Sequence, residues 1–367
     1  MQFPSRLLGV LFICAFLNAQ SPKNALLVLS KGEHMLEMVD VANGTMVARM
    51  PSGPDPHEVI ASADGKLAYI SNYGGGAYNT ITVADLVAQK TLPVIDLGAL
   101  HGPHGLVFTG GKLWFTAEGS KAIGRFDPAT QKVDWIMGTG QDRTHMLFVT
   151  ADLKKIYTSN VSSATVTLME QKLGGGGPGG PPPGGLTHGG RPPNVPEPIG
   201  RRPGGPGGPG GPPPGPRLDW EETVVPVGRG AEGFDVSPDG KQLWAANAGD
   251  GTISVIDIAA QKVTDTLAAD VTSANRLKFT LDGKHVLVSS LGGPDLVILD
   301  AGTKQVIKRL PIGHGAAGIL MEPSGERAYV ACTPDDYVAV IDLKSLTVKG
   351  HINAGAGPDG LAWVGPQ

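Results

Sequence analysis

Residues 231–267 read AEGFDVSPDGKQLWAANAGDGTISVIDIAAQKVTDTL, and the chain repeats this unit along its length. Four short strands are legible in it: Gly233–Ser237, Gln242–Ala246, Thr252–Ile256 and Lys262–Leu267. Between them stand Pro, Asp and Gly, which tight reversals need: glycine tolerates positive φ, and an aspartate side chain caps nearby backbone N–H groups. Four antiparallel strands with period-two alternation make one sheet that cannot bury both faces alone. Copies must stack around an axis, so the expected fold is an all-β propeller.

The copies can be counted. The residue after each Asp-Gly-like turn is Lys66, Lys112, Lys154, Lys241, Lys284 or Glu326, at spacings of 46, 42, 87, 43 and 42. The long spacing is one period plus an insertion, and composition locates the insertion at Leu173–Pro216, a Gly/Pro-rich run. At the ends, residues 24–53 hold three strands (Leu26–Leu29, Met35–Asp40 and Met46–Met50) and lack a first. Residues 358–364, PDGLAWV, are a first strand with nothing after it. The two fragments complete a seventh blade, which closes the ring and leaves no sheet edge bare. Each third strand ends in an acid (Asp40, Asp85, Asp127, Glu170, Asp257, Asp300, Asp342), which reads as a turn cap rather than as chemistry.

The SPDGK of Ser237–Lys241, the YISN of Tyr69–Asn72, the YTSN of Tyr157–Asn160 and the TISVID of Thr252–Asp257 resemble YVTN-type seven-bladed β-propeller repeats. The resemblance covers the chain outside the insertion and residues 1–20. It implies the seven-bladed fold and no single activity.

Residues 1–20 carry a processing pattern: Arg6, the apolar run Leu7–Leu17, and a small-residue cleavage site at Asn18-Ala19-Gln20. The run of 11 residues is too short to cross a ~30 Å hydrocarbon layer, so the expectation is a cleaved signal peptide. That predicts export, periplasmic or secreted, with no integral membrane span after cleavage. Cys14 falls inside the run, leaving Cys332 as the single cysteine of the mature chain and no intrachain disulfide. A net charge of −4, a pI near 6.1 and only 5% aromatic residues argue against a nucleic-acid partner. The insertion has no apolar face with which to offset its ordering entropy, so disorder with polyproline II bias is expected there.

Chain direction puts the start of each first strand and the end of each second strand at one mouth of the central channel. Counting back from the anchors gives His57, His104, His145, Glu232, Asn275 and Ala317, with Asp359 in the closing blade. Counting forward gives Asn72, Glu118, Asn160, Asn247, Ser290 and Cys332. The asparagines read as structural, satisfying loop and strand-end groups. Histidine in three consecutive blades is less easily architectural, and Asp55, His101, Arg143 and Arg276 lie in nearby loops.

Two site chemistries fit. In one, His57, His104, His145 and Glu232 hold a divalent metal such as zinc with an open position for water or substrate. In the other, His104 oriented by Glu118 is a general base, and Arg143 or Arg276 holds an anionic group on a lactone or sugar acid. The ligand-binding set in either case is His57, His104, His145, Glu232, Asn275 and Asp359. The chain also broadly resembles seven-bladed lactonases, whose sites lie in this mouth around His, Glu and Arg; no site residue is carried over from them. Two function classes stand open: a binding or scaffold protein recognising a small molecule or protein at the channel mouth, and a lactonase-like hydrolase or lyase.

Overall fold

A computed structural model describes residues 24–174 and 217–365; the expected signal peptide and the Gly/Pro-rich run from 175 to 216 lie outside the described residues. Seven four-stranded antiparallel sheets follow one another in a ring. Blades 1 to 6 begin with strands Pro56–Ala61, Pro103–Thr109, Thr144–Val149, Ala231–Val236, Ala274–Phe279 and Ala316–Met321. Blade 7 joins the chain ends: Pro358–Val364 pairs antiparallel with Ala25–Ser30, Leu27 opposite Ala362, and Met35–Asp40 and Thr45–Pro51 complete the sheet. Each first strand packs against the first strands of both neighbours, so these seven strands line the axis and the ring is shut. No helix among the described residues is long and apolar enough to cross a membrane.

Local sequence explains each strand's place. In blade 4, Gln242–Asn247 and Thr252–Asp257 lie between neighbouring strands and are buried along nearly their whole length, whereas Lys262–Leu267 alternates exposed and half-buried positions at the outer edge. Trp244 and Val255 pack with Phe279, Val286 and Val297 of blade 5, so apolar faces are buried between blades rather than within one. Each such side chain contributes ~1.5–3 kcal/mol on burial.

The Asp-Gly turns are side-chain clamps. Ser237 donates its hydroxyl to Asp239 (2.7 Å), Asp239 accepts from the Lys241 N–H (3.1 Å), and the Gln242 N–H donates to Ser237 (3.0 Å). Ser62-Asp64, Thr150-Asp152 and Thr280-Asp282 repeat the pattern. The strand-three acids act as caps: Asp85, Asp127, Asp257, Asp300 and Asp342 each accept a backbone N–H two or three residues on.

Every first strand also carries a β-bulge near its start. In blade 1, Pro56 is opposite Asn72 but Val59 is opposite Ile70, so one extra residue is accommodated between them. The same shift occurs at 103/106, 144/147, 231/234, 274/277, 316/319 and 358/361. A bulge bends its strand and re-aims its side chains.

In blade 3 the third and fourth strands are Thr165–Gly174 and Arg217–Pro226, ten residues each. Lys172 and Glu221 form an ion pair between these two strands. That pairing carries the ladder to the edge of the insertion.

Two glycines separate strain from contact. A methyl at Gly240 (φ +70°) would meet nothing within 4 Å, whereas one at Gly360 would sit 2.4 Å from the His57 carbonyl oxygen. Gly240→Ala is therefore expected to lower unfolding free energy by only ~1–2 kcal/mol, the left-handed penalty alone. Gly360→Ala forces the blade 7–blade 1 junction apart and should cost clearly more. Urea denaturation of the two variants checks the order, and equal losses would contradict it.

Candidate functional site

The first bulge residue of each blade is His57, His104, His145, Glu232, Asn275, Ala317 or Asp359, the ring read from the sequence. The second is Glu58, Gly105, Met146, Gly233, Arg276, Gly318 or Gly360. Glycine is required where the next blade's backbone fills the side-chain space: a Cβ would lie 2.7 Å from the His145 carbonyl at Gly105, 2.5 Å from that of Asn275 at Gly233 and 2.3 Å from that of Asp359 at Gly318. Glu58, Met146 and Arg276 depart from this rule, and the two charged ones meet each other: Arg276 Nη2 donates to Glu58 Oε1 (2.5 Å), joining blades 5 and 1.

The second ring needs a correction of register. Asn72, Asn160 and Asn247 are fully buried strand ends that bond local groups; Asn160, for example, donates to Thr165 (3.1 Å) and Thr167 (2.9 Å). In blade 2 the residue at this place is Ala117, opposite Pro103, because the Gly110-Gly111 turn is two residues shorter than its sisters. Glu118 lies one residue further, in the 3₁₀ turn Glu118–Ser120. Its true counterparts are Tyr73 in blade 1 and Lys31 in blade 7, each the first residue after its second strand. Lys31 and Tyr73 line the site and were missed; aligning the blades on the strand end rather than on the turn would have found them.

A cavity of about 430 Å³ opens at this mouth, and its walls include Lys31, His57, Tyr73, His104, Arg143 and Glu232. His145, Asn275, Arg276, Ala317 and Asp359 line it too. His101 does not: it is exposed, 3.0 Å from the Ala77 carbonyl. Asp55 stands at the edge, accepting from the Gly74 N–H (2.8 Å) and 3.3 Å from Lys31. Cys332 is fully buried and its thiol is pushed up to about 12, mainly by burial, so it is a packing group.

The imidazoles form a file. His57 and His104 have ring centroids 5.1 Å apart, His104 and His145 only 3.9 Å, and Tyr73 stands edge-on to both His57 and His104. Their protonation differs because their neighbours do. Burial, with Lys31 beside it, depresses His57 to about 4. His104 is driven well below the ordinary value by burial and by His145, and its buried Nδ1 has no hydrogen-bond partner. His145 is raised: burial opposes its charge, but Glu118 on Nδ1 and Glu232 on Nε2 (2.9 Å) overcome that. Glu232 is correspondingly held down at about 2 by His145 and then Arg276, against burial.

Glu118 therefore belongs to His145, not to His104 as the sequence suggested. It also accepts from Tyr73 Oη (2.6 Å) and from Arg143 Nε (3.5 Å). Past the strand end, its side chain points toward blade 3. The expected metal set, His57, His104, His145 and Glu232, is likewise redistributed. His57 is engaged by Lys31, Asp55 and Asp359, and Glu232 lies on the far nitrogen of His145. The group whose donor atoms lie within 4.8 Å of one another is His104, Glu118 and His145.

Asp359 and His57, 3.7 Å apart, have opposite effects on stability. Burial and Glu58 raise Asp359 to about 6, so between its ordinary 3.8 and 6 the folded state holds a proton that the unfolded chain has lost. Alone, this makes stability fall as pH rises through that window. His57, lowered from 6.5 to about 4, does the reverse: the unfolded chain holds the extra proton, so stability rises with pH. Within this pair the slopes offset each other. Asp359→Asn removes the first, so the variant's unfolding free energy should climb more steeply with pH than the wild type's, by about 3 kcal/mol between pH 4 and 6. Parallel profiles in urea titrations of variant and wild type would contradict the assignment.

No protein-family model and no curated protein matches the chain. Solved structures do. A candidate 6-phosphogluconolactonase from Bacteroides uniformis superposes with TM-score 0.66 at 14% identity, over 94% of this chain and 100% of that one. A second, from Bacteroides fragilis, gives 0.66 at 15%, over 94% and 99%. A protein of unknown function from Desulfotomaculum acetoxidans gives 0.67 at 11%, over 94% and 100%. At these identities the likeness establishes the seven-bladed propeller and nothing finer.

Proposed function

We propose that the protein recognises a small acid-bearing molecule in the channel-mouth cavity. The observation that carries this reading is the meeting, in one concavity of ligand size, of side chains that depart from the repeat: Lys31, His57, His104 and Arg143. Arg276 is committed to Glu58; Lys31, 3.3 Å from Asp55, and Arg143, 3.5 Å from Glu118, are 30% and 43% exposed and keep further N–H donors for a carboxylate or phosphate. Tyr73 and the imidazoles supply an aromatic wall for the body of the ligand. The repeat pattern supports a place among YVTN-type propellers. Arg6 and the apolar run after it support export, which the N-terminal residue of protein recovered from a periplasmic fraction would test.

A second reading is hydrolysis of a cyclic ester. It is favoured by two unprotonated imidazoles, His57 and His104, opening on the cavity beside Arg143, and by the names of the Bacteroides neighbours.

Calorimetric titration with 6-phosphogluconate, glucuronate and glucose separates recognition from its absence. The acids should bind more tightly than glucose, and Arg143→Ala should weaken them at least ~10-fold, one charge-assisted contact. Equal affinity for acid and neutral sugar would remove the reading. Hydrolysis of 6-phosphogluconolactone, followed by acid release, should exceed the spontaneous rate and fall at least ~100-fold in His57→Ala if the second reading holds. A rate equal to the spontaneous one would sink it.

A further inference from the structure

His104 is 2% exposed, yet its Nδ1 meets no donor or acceptor in the protein. A buried polar atom left unpaired costs ~1–3 kcal/mol, so such an atom commonly marks the place of a bound partner. Beside the His104 ring stand Glu118, from the turn after blade 2's second strand, and His145, from the bulge of blade 3, both buried. Their donor atoms and one of His104 lie within 4.8 Å of one another.

The groups behind these three have the form that supports metal ligands. Glu232 Oε2 lies 2.9 Å from His145 Nε2, which leaves Nδ1 as the coordinating nitrogen when Nε2 carries its hydrogen. Tyr73 Oη donates to Glu118 Oε2 (2.6 Å), orienting the carboxylate and leaving Oε1 toward His145. His104 and His145 both face the cavity, so an ion between them would have one side open to a small molecule.

We infer that His104, Glu118 and His145 form a binding site for one divalent transition-metal ion, with the fourth position open to the cavity. Two imidazoles and one carboxylate select zinc-like ions over calcium or magnesium, which take oxygen donors. Seating the ion requires Glu118 Oε1 and His145 Nδ1 to exchange their mutual hydrogen bond for bonds to the metal. The site deepens the reading of this cavity as a ligand site; it rests on that reading for the ion's role, not for its presence. An ion here would occupy the His104 lone pair and leave His57 as the free imidazole of the cavity.

The test uses the full chain stripped with a chelator and titrated with zinc chloride against a chromophoric competitor. One ion per chain is expected, with affinity reduced at least ~100-fold in His104→Ala and in Glu118→Gln and unchanged within a few-fold in His57→Gln. Cobalt substitution should give visible d–d bands that both ligand variants lose, and circular dichroism melts identify any variant that has failed to fold. Absence of stoichiometric zinc in the native chain, or binding that survives both ligand substitutions, overturns the site. Titration of 6-phosphogluconate into chelator-treated protein keeps the two outcomes apart: acid binding without zinc binding removes this inference alone, and zinc binding without acid binding removes only the recognition reading.

Discussion

The contact on which ring and site both depend lies between each bulge and its neighbouring blade. Thr116 accepts from the Gly105 N–H (2.8 Å) inside its own blade and donates to the His145 carbonyl of the next (2.7 Å). Ser159 reaches the Glu232 carbonyl and Ser289 the Ala317 carbonyl in the same way. These bonds hold the backbone of the ring residue, so its side chain is left to project inward. Glycine is the second bulge residue wherever the hydroxyl is absent, at Ala246, Ala331 and Leu29 (Gly233, Gly318, Gly360), and also beside Thr116 (Gly105); in all four the neighbour's carbonyl lies directly against it. Glu58 and Arg276 occur in blades that have the hydroxyl, Ser71 and Ser289. The blade junction thereby decides where a charged residue can enter the channel wall.

Much of the architecture was legible because it is repeated. The Asp-Gly turns, the strand-three acids and the split closing blade are each dictated by local chemistry that recurs. The bulge ring was legible for the same reason: spacing to the turn is constant where turns have equal length. The error at Glu118 arose where that constancy fails, in the short Gly110-Gly111 turn, and it hid the kinship of Glu118 with Tyr73 and Lys31. The partner of Glu118 was not legible at all, since a side chain's direction past a strand end depends on the inter-blade twist rather than on spacing.

The cavity is crowded with charge that the protein has largely balanced from within. Lys31, Arg143, Arg276 and His145 face Asp55, Glu58, Glu118, Glu232 and Asp359. Buried pairs of this kind add little net stability against apolar packing, and breaking one strands its partner. Their value is geometric: each fixes the rotamer of a long side chain in the cavity wall. Arg276 illustrates it, bonded to Glu58 across the axis and 3.4 Å from His145 Nε2.

Lys31 lies 3.8 Å from Asp359, and both lie against His57. One comes from the start of the described chain and the other from its last strand, so this corner of the cavity has no existence until Pro358–Val364 zips onto Ala25–Ser30. During synthesis the three N-terminal strands must wait with an edge uncovered while some three hundred residues are made. This corner of the cavity is completed by the same event that closes the circle. A chain halted short of its final ten residues would be both open to edge-to-edge association and without the corner.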